Sequence, residues 1–144
     1  MKTTLPNRNE LQKKAKWYLI DAADKVLGKV ATQAARVLAG KDRIDFTPSI
    51  DLGDGVIIIN AEKVRITGKK STDKLYYRHS GYKGNIKEFS AGDLIKNDPK
   101  KIFDLAVVGM LPKNKLRDAR MMRLKVYNGT THPHSAQEPI VLTV

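Results

Sequence analysis

Three groups of residues in this 144-residue chain have types that could do chemistry. Asp21, Asp51 and Asp54 stand beside segments rich in β-branched residues. Aspartates at the ends of parallel strands are where α/β enzymes place their chemistry. No base or third metal ligand stands near them, and Asp is also a turn residue that bonds its own backbone. Gly68-Lys69-Lys70-Ser71-Thr72 has the outline of a phosphate-binding loop, but the motif's first glycine would fall at Lys63. His132 and His134 could begin a metal site, yet no third ligand group accompanies them. The stretch DAADKVLGK offers Gly28 alone where a dinucleotide fingerprint needs three glycines. The chain has no cysteine, which excludes disulfides, thiolate catalysis and Cys-based zinc sites.

What the chain does carry is positive charge. Lys plus Arg number 27 against 15 Asp plus Glu, a net of +12. An excess of that size in so small a protein points to a polyanionic partner. Nucleic acid, an anionic membrane surface and an acidic protein are the candidates. The charge is concentrated. Within Val107–Gly129, Lys113, Lys115, Arg117, Arg120, Arg123 and Lys125 face Asp118 alone. A charge run is usually a solvated face, but solubilising faces interleave both signs, so phosphate contact is the better reading. Residues 61–87 form a second basic region, with eight Lys/Arg against Glu62 and Asp73, a net of +6. There Tyr76, Tyr77, Arg78, His79 and Tyr82 alternate with lysines. Aromatic faces stack on bases while cations reach phosphates. One of the two adjacent tyrosines should still be a strand core residue, because successive strand positions face opposite ways.

These residues need elements to position them. Trp17–Asp21 (WYLID) reads as a strand and Lys29–Ala39 as an amphipathic helix stopped by Gly40. Phe46–Gly55 is turn chemistry. Val56–Asn60 is apolar at successive positions, as in a central parallel strand buried on both faces. Val64–Thr67 is a shorter alternating piece, and Gly68–Gly84 a basic loop with a flexible tip at Gly81 and Gly84. Ser90 is an N-cap for Ala91–Asn97, with Asp93 completing a weak capping box. Pro99–Met110 is a helix that turns Ile102, Phe103, Ala106, Val107 and Met110 inward and ends before Pro112. Lys113–Leu124 is expected as a further helix. On it Lys113, Arg117 and Arg120 fall within about 60° of arc, opposite a packing side of Leu116, Ala119 and Met122. Lys125–Tyr127 returns to the sheet, and Ile140–Val144 docks as a last extended segment. Residues 1–16 read as a basic extension that orders on a partner. Residues 17–144 read as one domain. Alternating strand and helix gives α/β. The N-terminus lacks a signal-peptide core, and no apolar run approaches a membrane span. The apolar face of 113–124 is too modest for a membrane-surface helix. The expectation is therefore a cytoplasmic protein with no membrane contact.

Several of these segments, taken together, resemble one family. WYLIDAADKVLGKVATQAARVLAGKD, FTPSIDLGDGVIIINAEKVRITGKK, DKLYYRHSGYKG, VVGMLPKNKLRDARMMRLKVYNG and HPHSAQEP run in unbroken order from about residue 16 to the C-terminus. They are similar to the thirteenth large-subunit ribosomal protein in its bacterial form. The resemblance implies a three-layer α/β/α domain around a mainly parallel four-stranded sheet, with a basic N-terminal extension and an extended C-terminal tail. It implies binding to large-subunit ribosomal RNA, early subunit assembly and neighbours among other ribosomal proteins. For some members it implies a regulatory contact with messenger RNA. It implies no enzymatic activity, cofactor or metal. The residues expected to contact RNA are Lys41, Lys69, Lys70, Lys74, Arg78, His79, Tyr82, Lys83, Lys113, Lys115, Arg117, Arg120, Arg123, His132 and His134. The alternative is a nucleotide- or nucleic-acid-processing α/β enzyme using Asp21, Asp51 or Asp54. RNA binding expects Asp51→Asn and Asp54→Asn to be tolerated, and Arg117→Glu with Arg120→Glu to be damaging.

Overall fold

The structure is a computed structural model that describes residues 15–144. Most of the expected N-terminal extension, residues 1–14, lies outside the described residues.

The chain begins with the expected strand β1 (Trp17–Asp21). Helix α1 runs over Leu27–Ala39, starting two residues before the expected span. Its stop is glycine chemistry. Gly40 takes φ +80°, the left-handed conformation that glycine adopts without steric cost. Its N–H and that of Lys41 return to the carbonyls of Val37 and Arg36, closing the last turn. A loop leads to β2 (Gly55–Ile59), which lies parallel to β1 with Trp17 opposite Gly55 and Asp21 opposite Ile59. Val64–Thr67 makes a single parallel bridge, Val26 to Arg65, rather than a strand.

The segment expected as a loop at Gly68–Gly84 is more ordered than that. A short helix α2 (Lys70–Asp73) leads into β3 (Leu75–His79), which pairs antiparallel with β4 (Ile86–Ser90). Gly68–Gly84 holds only the first strand of this two-stranded ribbon, so the segment by itself shows no hairpin. Of the two tyrosines, Tyr76 packs against the core and Tyr77 is 59% exposed. Ser90 then caps α3 (Ala91–Asn97), accepting the Asp93 N–H at 3.1 Å. Helix α4 (Pro99–Met110) has the expected bounds, with Asp98 as N-cap. Ile102, Phe103 and Val107 are fully buried. Met110, expected inside, is 45% exposed at the C-terminal end of the helix.

The expected helix over Lys113–Leu124 is reduced to α5 (Arg117–Met122). Residues 112–116 form turns, with the Asn114 N–H on the Pro112 carbonyl at 2.9 Å. Asn114 Oδ1 also accepts the Leu116 N–H at 3.2 Å. Asn competes for local backbone bonds in this way and delays the helix. Then come β5 (Leu124–Val126) and, after a long return, β6 (Ile140–Val141).

The sheet order is β5-β2-β1-β6, with every pairing parallel. This is the expected α/β arrangement, a parallel four-stranded sheet with helices around it. One sheet face supplies Ile20, Val56, Ile58, Leu124 and Val126 to the main core, with α1 and α4 over it and α3 packed on α4. Ile57 points to the other face by alternation and is also completely buried. β2 is thus buried on both sides, as its unbroken apolar run requires. Among the described residues, no helix is long and apolar enough to cross a membrane.

Candidate RNA interface

The three aspartates are each taken by a partner in the fold. Asp21 accepts from Asn60 Nδ2 at 2.8 Å and the Ala23 N–H at 3.0 Å. The bond from Asn60 leads in holding its carboxyl below the usual range. Asp54 accepts from Arg43 Nη1 at 3.1 Å and from the Lys16 N–H at 3.0 Å. Asp51 is gripped hardest. Arg123 forks onto it with Nη1 at 2.6 Å and Nη2 at 2.7 Å. Arg120 Nε lies 3.5 Å from the same carboxylate. Burial pushes the Asp51 carboxyl up, but the bond and charge of Arg123, with Arg120 behind, hold it below its ordinary value. At 3% exposure and so paired, Asp51 is closed to a substrate. Among the described residues, no three His, Asp or Glu side chains come close enough to hold a metal.

This geometry corrects the expected basic helix face. Arg120 is 1% exposed and turned inward. Helical spacing sets Arg117 and Arg120 on one side of the helix but does not say which side meets the fold; in the six-residue α5 the Arg120 side chain meets Asp51. Arg123 is also directed inward and reaches the Leu38 carbonyl at 3.4 Å. Met122, expected on the packing side, is 74% exposed. Arg117 is half-buried, 4.0 Å from Asp118. Lys113 and Lys115 remain outside, on the turn that Asn114 fixes.

Every ion pair among the described residues uses an arginine: Arg36, Arg43, Arg117, Arg120 or Arg123. No lysine takes part. The described cations without an ion pair are the lysines, Arg65 and Arg78, and one cluster of them lies on and just before the ribbon. Lys69, Lys70, Lys74, Arg78, His79, Tyr82 and Lys83 are all exposed. Gly81 and Gly84 take positive φ in the connecting turn, and His79 Nδ1 accepts the Gly81 N–H at 3.0 Å. Arg78 stands directly opposite Lys87 in the ladder. Like charges across a ladder destabilise it, so this pair suits a surface meant to meet an anion. Lys87 is a cation that sequence reasoning left out, because only the register of the two strands sets it beside Arg78. Lys41 is exposed next to the Gly40 cap, apart from the ribbon in sequence and beside the Arg36–Asp42 pair at 2.6 Å. Helix α4 contacts both α3, which follows the ribbon, and α5, which follows the 112–116 turn.

The two histidines differ. His134 Nε2 lies 2.7 Å from Tyr127 Oη, and its ring stacks on Trp17 with centroids 5.8 Å apart. His132 stacks on His134 at 6.5 Å.

A family model described as "Ribosomal protein L13" matches residues 15–133. Proteins named "Large ribosomal subunit protein uL13" are similar along almost the whole chain. That of Geobacter sp. (strain M21) is 49% identical over 144 residues, covering 100% of both chains. That of Chromobacterium violaceum is also 49% identical with 100% of both chains covered. That of Thermosipho africanus is 51% identical over 141 residues, covering 98% of this chain and 93% of its own. With a family match over most of its length, the chain belongs to the ribosomal protein L13 family, a family of structural proteins rather than enzymes.

Proposed function

We propose that this chain binds large-subunit ribosomal RNA within the ribosome of the cytoplasm, beside neighbouring ribosomal proteins, and supports early assembly of that subunit. The contact is made by the ribbon β3–β4 with Lys69, Lys70 and Lys74, and by the turn carrying Lys113 and Lys115. The observation that carries this reading is the division of cations. Arg43, Arg120 and Arg123 are matched to Asp54 and Asp51 inside the fold, while the ribbon's cations have no ion pair and Arg78 faces Lys87 across the ladder. Phosphates would neutralise them and release counterions. The sheet and α4 provide the rigid base, so recognition works by shape and charge. A messenger RNA would meet the same cations, so a regulatory contact needs no separate surface.

The test is filter binding of the full chain to large-subunit ribosomal RNA across a salt series. Arg78→Glu with Lys83→Glu should weaken binding. Each lost contact should also flatten the slope of log affinity against log salt by about 0.7–0.9. An affinity and slope equal to wild type in this variant, and in Lys113→Glu with Lys115→Glu, would remove both surfaces from the interface. For assembly, cells carrying the variants should accumulate incomplete large-subunit particles on sucrose gradients; a normal profile would sink that role.

A further inference from the structure

The aromatic stack beside β1 is not explained by charge. Its foot is backbone: a Cβ at Gly55 would lie 2.4 Å from Trp17 Cε3 and 2.5 Å from Cδ2, so the indole sits directly against that glycine. On the indole lies His134, with the planes 14° apart. His134 is held in place by Tyr127 Oη at 2.7 Å. On His134 lies His132, with planes 19° apart. The ladder therefore runs Gly55, Trp17, His134, His132, anchored at one end in the register of β1 on β2. His132 ends it. The His134 backbone N–H donates to His132 Nδ1 at 3.3 Å, so the neutral His132 ring carries its proton on Nε2. That N–H has no partner among the described residues, and the residue is half-buried.

We propose that His132 is a platform on which one unpaired nucleobase of the bound RNA stacks, with His134 as the residue that positions it. This rests on the RNA-binding reading above and adds a contact of a different kind. A flat ring held on a rigid stack suits the face of a base, whereas a phosphate is better met by the ribbon lysines. The free Nε2–H can donate to a base edge or a ribose hydroxyl.

The experiment uses the full chain and two polyanions, large-subunit ribosomal RNA and heparin, which has charge but no bases. His132→Ala should lower RNA affinity about 5- to 150-fold, the loss seen for one base–aromatic stack. Heparin affinity and the salt slope for RNA should not move, because no phosphate contact is lost. His132→Phe, which keeps a ring face, should retain most of the affinity, and thermal melts of both variants check that the tail stays folded. RNA affinity equal to wild type in His132→Ala would overturn the assignment. So would an equal loss toward heparin. If the wild type itself failed to bind the RNA, the broader reading would fall and this one with it, an outcome distinct from the other two.

Discussion

Asp51 grips Arg123 at two points, 2.6 and 2.7 Å, with Arg120 at 3.5 Å, all next to a side chain 2% exposed. Removing one partner of a buried ionic group leaves charge stranded, at a cost of about 3–5 kcal/mol. Asp51→Ala should therefore lower stability by roughly that amount, read as a shifted urea midpoint. A loss below about 1 kcal/mol would mean the arginines find water instead. The pH dependence follows from the direction of the shift. Asp51 is held below its ordinary value of 3.8, so the folded state binds its proton less readily than the unfolded chain. Its contribution is present above that value and lost as pH falls through the lower, folded one. Wild-type stability should thus fall on acidification below about pH 4, and Asp51→Asn should show a smaller fall over the same range. Identical acid profiles would contradict the pairing. This network also changes what a charge reversal means. Arg120→Glu would place two acids together in the interior, so it tests folding rather than RNA, and Asp51→Asn is not a neutral control. The sequence names these arginines and this aspartate but not their union, since 72 residues separate Asp51 from Arg123. Composition makes all six cations of 113–125 look alike; only the fold sorts them.

The elements were legible where local chemistry sets them. Ser90 and Asp98 open helices by accepting N–H groups three residues on, Gly40 closes one, and an apolar run such as VIII can only be a strand covered on both faces. What local patterns could not show was set at a distance. The ribbon exists because Leu75–His79 meets Ile86–Ser90, and neither strand has a clean apolar alternation, since both are largely exposed. Helix α5 begins only at Arg117, after the turn in which Asn114 Oδ1 accepts the Leu116 N–H. Gly53 shows the same distant constraint. A Cβ there would fall 1.9 Å from the Leu38 carbonyl and 2.9 Å from Arg123 Nη2. Both neighbours are fixed, one in a helix and one in the ion pair. Gly53→Ala should cost about 3 kcal/mol or more, well beyond the roughly 1 kcal/mol expected for loss of the Ser90 cap in Ser90→Ala. Chemical denaturation of the two variants ranks them, and a Gly53→Ala midpoint at or above that of Ser90→Ala would show that the loop can move aside.

At the scale of the molecule, the net charge of +12 fits a polyanionic partner, and the fold keeps its core apart from the exposed cations of the ribbon. The sheet, α1 and α4 carry the core. The ribbon tip carries little of it: Tyr82 is 77% exposed, and a Cβ added at Gly81 or Gly84 would meet nothing within 4 Å. A part that contributes so few contacts should open easily in the free protein, and its side chains should matter chiefly when RNA is present. His79 and Ile86 are opposed in the ladder, so Ser80–Asn85 can be replaced by Asn-Gly, a turn suited to closing a two-residue hairpin. The shortened chain should keep its thermal midpoint to within about 2 °C, as surface changes of about 0.5 kcal/mol do at this size. Its RNA affinity should drop, and its salt slope should flatten by about 0.7–0.9 for the one lysine removed, Lys83. Loss of Tyr82 should add a component that salt does not alter, because stacking on a base releases no counterion. A lowered melting point with unchanged RNA affinity would give the opposite division, making the tip part of the folding unit and moving the RNA contact back onto the lysines of α2 and the 112–116 turn.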